Sequence, residues 1–142
     1  MKKNRLESDY EVDFELLGIV CNKKEYKLAW HLNEAFNINL LKQEDIRIEY
    51  ADNTSILISN YLYKGTHHSL ELLKNKLVAS AHPKFKLLIP ELNQFDYLLK
   101  IRDEAGELTI ENVSVIIKEI PIIEYAMRLN FDHLKSKENL LY

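Results

Sequence analysis

Apolar and polar residues alternate with a period of two along three separate stretches of this chain. Tyr10, Val12, Phe14 and Leu16 alternate with Glu11, Asp13 and Glu15; Ile46, Ile48 and Tyr50 with Arg47 and Glu49; and Ile123, Tyr125, Met127 and Leu129 close the series. That period sends successive side chains to opposite faces of a strand, one buried and one wet. A chain patterned this way must build a sheet and find cover for its apolar face. Two segments supply the cover. In 23–37, Tyr26, Ala29, Trp30, Asn33 and Phe36 recur at helical spacing, with Leu28 and Leu32 beside them, and Asn22 is placed to cap the first turn. Later, Ile110, Val113, Ile117 and Ile120 form one helical face, with Thr109 as N-cap and Pro121 breaking the chain.

The rest reads mostly as strands. Leu17 to Val20 is apolar throughout, which suits a strand covered on both sides. Ala51-Asp52-Asn53 is a turn, and Thr54 to Tyr63, rich in β-branched and aromatic residues, pairs back as a hairpin that Lys64-Gly65-Thr66 ends. Ser69 to Ala79 fits helix or strand spacing and is read as a strand from its neighbours. Ala81-His82-Pro83 is a loop, Phe85–Ile89 and Phe95–Ile101 are strands, and 103–106 is a turn. The expected order is β-α-β-β-β-β-β-α-β. This is an α+β fold with a mainly antiparallel sheet and both helices on one face. With 142 residues, 46% hydrophobic and only 3 Gly and 3 Pro, the chain forms a single domain, 1–142, with 1–9 frayed and 130–142 a polar tail.

Several function classes lose ground at once. The net charge is −3, which argues against a dedicated nucleic-acid coat without excluding a local basic patch. Acidic residues follow the basic start where a secretory signal needs an apolar stretch, and no run approaches a membrane span, so the expected setting is the cytoplasm. Cys21 is alone and reads as a buried thiol at a strand end. His67-His68 and His31 lack companions at metal-ligand spacing and read as loop and helix-surface residues; no metal and no cofactor is expected. Tyr50, Tyr61 and Tyr63 read as sheet core rather than a base-stacking platform. Phosphate-loop, dinucleotide-binding and hydrolase motifs are absent.

One segment reads as a signature: Leu87-Leu88-Ile89-Pro90-Glu91-Leu92-Asn93-Gln94-Phe95-Asp96-Tyr97-Leu98-Leu99. Pro90 cannot donate to a ladder and marks a strand end. Glu91 and Asp96 would satisfy backbone donors in the connection, or act as a carboxylate pair if a pocket held both. Downstream, Leu134-Lys135-Ser136-Lys137-Glu138-Asn139-Leu140-Leu141-Tyr142 is an apolar-ended tail that docks on its own domain or inserts into a partner groove. These two segments resemble the bacterial IPExxVD family, through Ile89, Pro90, Glu91, Asp96 and Tyr97 and through the ending. Phe95 stands where the family name has Val, and the spacing from Glu91 to Asp96 is one residue longer. The resemblance implies a cytoplasmic bacterial protein and attaches no activity to it.

The leading expectation is a non-enzymatic interaction or adaptor module. It would hold a protein partner through Lys137, Asn139, Leu140, Leu141 and Tyr142, with the tail separable from the fold. An RNA- or ribosome-associated factor is the alternative, with Lys2, Lys3, Arg5, Lys23, Lys24 and Lys27 gathered on one face. A small enzyme using Glu91 and Asp96 is the third.

Overall fold

The computed structural model describes residues 13–142. The expectations for 1–9 and for Tyr10 and Val12 lie outside them. Strand β1 (Glu15–Val20) leads into helix α1 (Glu25–Phe36), followed by β2 (Leu41–Lys42), β3 (Ile46–Glu49), β4 (Ser55–Ile58), β5 (Asn60–Lys64), β6 (His68–Lys74), β7 (Ala79–Ser80), β8 (Tyr97–Asp103), helix α2 (Ile110–Lys118) and β9 (Tyr125–Leu129). The α+β class holds. Six strands form one antiparallel sheet in the order β2-β5-β6-β8-β1-β9, and three form a smaller sheet, β3-β4-β7.

The central strands of the large sheet, β6, β8 and β1, are buried on both faces, which explains their uninterrupted apolar runs. Leu17 and Ile19 of β1, Leu70 and Leu72 of β6, and Leu99 and Ile101 of β8 meet Leu28 and Leu32 of α1 and Val113 and Ile117 of α2. Both helices therefore lie on one face, as the patterning implies. The alternate residues Leu16, Leu73 and Leu98 face a second core. There Ile56 and Ile58 of the small sheet, the signature residues Leu88, Ile89, Leu92 and Phe95, and Phe131, Leu134 and Leu140 close over them. Burying one such side chain contributes roughly 2 kcal/mol.

Local chemistry sets the ends of the helices. Thr109 caps α2 by accepting from the Asn112 N–H. Asn37 ends α1 in the left-handed region at φ 55°. Asn22 does not cap α1: Lys24 occupies the N-cap and offers no side-chain hydrogen bond.

Three expectations need correction. Thr54 to Tyr63 is two strands in different sheets. Ser59, buried between them, bonds the Glu25 carboxylate at 2.8 Å, and its carbonyl accepts from the Lys74 N–H. Ser69 to Ala79 is not one strand: β6 ends at Lys74, and Ala79 opens β7 in the smaller sheet. Phe85–Ile89 is not a strand; beyond the Lys76–Leu87 bridge its backbone bonds to Asn75 instead of to a ladder.

Gly18 fixes how the signature meets the sheet. A Cβ there would fall 2.7 Å from the Phe95 ring, so the ring packs directly against bare β1 backbone. Gly18→Ala must push the ring away, and we expect a loss of about 1–3 kcal/mol in urea unfolding. An unchanged midpoint would show that the ring moves freely.

Candidate functional site

The signature is a structural hub. Pro90 opens a 3-10 turn, Pro90–Leu92, where its missing N–H costs nothing. Asn75, at the end of β6, is buried and spends its whole side chain on this loop. Its amide donates to the Leu92 and Phe95 carbonyls at 3.0 Å, and its oxygen accepts from the Ile89 N–H at 2.9 Å. Its own backbone bonds Leu88 and Asp96.

Asp96 and Tyr97 reach the other way, to the β1–α1 turn. The Asp96 carboxylate accepts from the Cys21 N–H at 2.9 Å, and the Tyr97 hydroxyl donates to the Lys23 carbonyl at 2.6 Å. Burial, with nearby Cys21 and Glu25, pushes the Tyr97 phenol well above the usual tyrosine range, so it stays a donor. Burial likewise raises the Cys21 thiol, which is free and enclosed at the strand end.

Glu91 holds the tail. Its carboxylate accepts from the Ser136 N–H at 2.7 Å and from the Ser136 hydroxyl at 3.0 Å, just before the 3-10 turn Lys137–Leu140. Burial works against the charged form, but the bonds from Ser136, together with the backbone of Glu91 and Lys135, outweigh it and hold the carboxyl below its ordinary value. Asn139 adds a bond to the Leu88 carbonyl at 2.9 Å and accepts from the Tyr50 hydroxyl at 2.8 Å. The two segments that carry the family resemblance thus touch each other directly.

The tail also covers a buried charge. Lys100 of β8 is 1% exposed, yet directly opposite it on β6 stands Glu71. The Lys100 ammonium donates to the Leu140 carbonyl at 2.8 Å, lies 3.7 Å from Glu71, and sits over the rings of Phe14 at 4.5 Å and Tyr142 at 4.2 Å. The Tyr142 hydroxyl donates to Glu71 at 2.6 Å.

These positions revise the sequence expectations. Asn139 and Leu140 are buried in this domain and Tyr142 seals Lys100, so the tail is part of the second core rather than separable from the fold. Of its five residues, Lys137 and Leu141 are half-buried and Tyr142 is exposed on its outer side. Glu91 and Asp96 each serve a different backbone segment, Ser136 and Cys21, and Asp96 lines a cleft. Tyr61 and Tyr63 pack against the helical core and Tyr50 against the second, so no shared aromatic platform forms. His31 lines a groove of about 460 Å³ between α1 and α2. His68 joins the Tyr63 hydroxyl to Glu107. Among the described residues no cluster of three or more His, Cys, Asp or Glu could hold a metal, and no helix is long and apolar enough to cross a membrane.

Sequence reasoning missed Asn75, Glu71 and Lys100. Lys100 left a signal: it interrupts the apolar run Tyr97-Leu98-Leu99 before Ile101, where a strand covered on both faces must bury it. Asn75, lying between two lysines, left none.

The Lys100 cluster makes stability depend on pH. Burial pulls the ammonium down to about 8; Glu71 and Asp13 oppose this and Arg102 assists it. Above about pH 8, and up to the ordinary lysine range, the unfolded chain binds a proton that the folded chain has released. Lys100 therefore makes stability rise with pH in that window, opposed above the ordinary thiol value by the raised Cys21 thiol. Burial and Glu71 raise the Tyr142 phenol, so above the ordinary tyrosine value the unfolded chain loses a proton that the folded one keeps, and stability falls. Urea midpoints should peak between about pH 8 and 10. Lys100→Met should remove the rise and spare the fall; a variant that keeps the rise would place its origin elsewhere.

Compared with known proteins, the chain matches no family model, no curated protein and no solved structure.

Proposed function

We propose that this protein is a non-enzymatic protein–protein interaction module whose binding surface is the outer face of α1. The observation that carries the reading is the exposure of Trp30. It is the one tryptophan of the chain, and it stands 58% exposed with Tyr26, four residues earlier on the same helical face, at 59%. The buried positions of α1, Leu28, Ala29 and Leu32, already anchor the helix to the sheet, so neither aromatic is needed there. Large rigid aromatics are the side chains that supply most of the energy at protein interfaces when a partner desolvates them. The expected partner is a protein with an apolar recess that accepts the indole.

The tail's part in this reading is to complete the domain behind that face. The resemblance of these two segments to the IPExxVD family, and the cytoplasmic bacterial setting it implies, belong to this proposal.

Affinity capture from the native cell should recover a defined partner with the intact chain and lose it with Tyr26→Ala/Trp30→Ala. Both residues are exposed, so the unfolding free energy from urea titration should change by less than about 0.5 kcal/mol. Recovery of the same partner by the double variant would overturn this reading.

A further inference from the structure

We propose that the cleft between the β1–α1 turn and the end of β6 is a binding site for a phosphate-bearing ligand. Lys23 and Lys24 line it from the turn, and Lys74 and Lys76 from the end of β6; Lys23, Lys24 and Lys76 are exposed and Lys74 is half-buried. The cleft measures about 390 Å³, within the range of small-ligand sites. One carboxylate, Asp96, also lines it, and an oxygen of that group is already taken by the Cys21 N–H. Among the described residues, no carboxylate lies within ion-pairing distance of any of the four lysines. Their mutual repulsion is left for a mobile anion to relieve.

The lysines are held there by ordered backbone. Tyr97 holds the Lys23 carbonyl and Asp96 the Cys21 N–H, while Asn75, between Lys74 and Lys76, is bonded on every side. The signature therefore builds both walls of the cleft. The N-terminus of α1 lies beside them with no side chain capping it; the one carboxylate of its first turn, Glu25, bonds the Ser59 hydroxyl. Two features narrow the ligand class. Lysine ammoniums act as adaptable point charges, as phosphate recognition uses them. Phe95 and Tyr97, the aromatics at the cleft, are each 2% exposed, so no ring is free to stack on a base. The site reads phosphate rather than a nucleobase.

That chemistry could come from a small phosphorylated molecule or from a nucleic-acid backbone. The test titrates the intact ¹⁵N-labelled protein with inorganic pyrophosphate and, separately, with a short oligouridine, and follows the amide signals. Lys74→Gln/Lys76→Gln is compared with Lys64→Gln, a change outside the cleft. Saturable shifts of the Lys24 and Glu25 amides with pyrophosphate, weakened at least about tenfold in the double variant, would support a small-ligand site. The same pattern with oligouridine alone, falling steeply with salt, would support the nucleic-acid source. Binding that the double variant leaves intact, or no shift at the cleft with either probe, would overturn the site. Tyr26 and Trp30 take no part in this test, so its outcome is independent of the protein-interaction reading.

Discussion

A chain that lines a core without pairing into a sheet must still satisfy its buried backbone, and in this fold three of those groups are met by one side chain. Residues 88–96 contribute Leu88, Ile89, Leu92 and Phe95 to the second core, where water cannot serve their N–H and C=O groups. Asn75 supplies two donors and an acceptor at the needed points. An asparagine is suited to this because its amide carries both kinds of group in one plane. With the loop fixed, Glu91 can reach the tail, Asp96 and Tyr97 can reach the first turn, and Phe95 can lie on Gly18. The small sheet, the tail and the lysine cleft all inherit their positions from this arrangement.

Legibility in the sequence followed physical locality. The second helix and its Thr109 cap were readable because spacing and cap chemistry lie within a few residues of each other. Strand β1 was readable from its apolar run. The division at Ser59 was not, because it depends on Glu25, which is distant in sequence. The segment 85–89 carries strand-like residues, but their apolar side chains fill a core from irregular backbone, and a propensity cannot separate those cases. Glu91 and Asp96 were legible as ligands of backbone donors. The identity of the donors, Ser136 and Cys21, was not. Lys23 and Lys24 were noticed as basic residues. Lys74 and Lys76 join them only through the fold.

The Lys100–Glu71 pair raises a question of specificity. Taking both charges out of water is costly, and an apolar pair would fill the space more cheaply. What the pair adds is a mark on the register. Lys100 faces Glu71 across β8 and β6. A slip of one residue would turn the ammonium into the helical core, where Leu99 and Ile101 now sit. No rearrangement of leucines alone would carry that penalty. The surrounding rings and the Leu140 carbonyl make the native register the one in which the charge is fully coordinated.

Strand order has a consequence for how the domain comes together in time. β1 lies between β8 and β9, so the earliest described strand is flanked by two of the last. Neighbours such as Leu17 and Arg128 meet only after nearly the whole chain is present. By contrast, β5 and β6 are joined by a short turn and can zip locally. During synthesis the apolar run Leu16-Leu17-Gly18-Ile19-Val20 would therefore wait without its pairing partners, with unfilled hydrogen-bonding edges on both sides. Such a topology folds slowly for its size, because the loop entropy must be spent before the long-range pairs return it. The interval before β8 arrives is the period in which this chain is most exposed to strand-to-strand aggregation and to capture by chaperones.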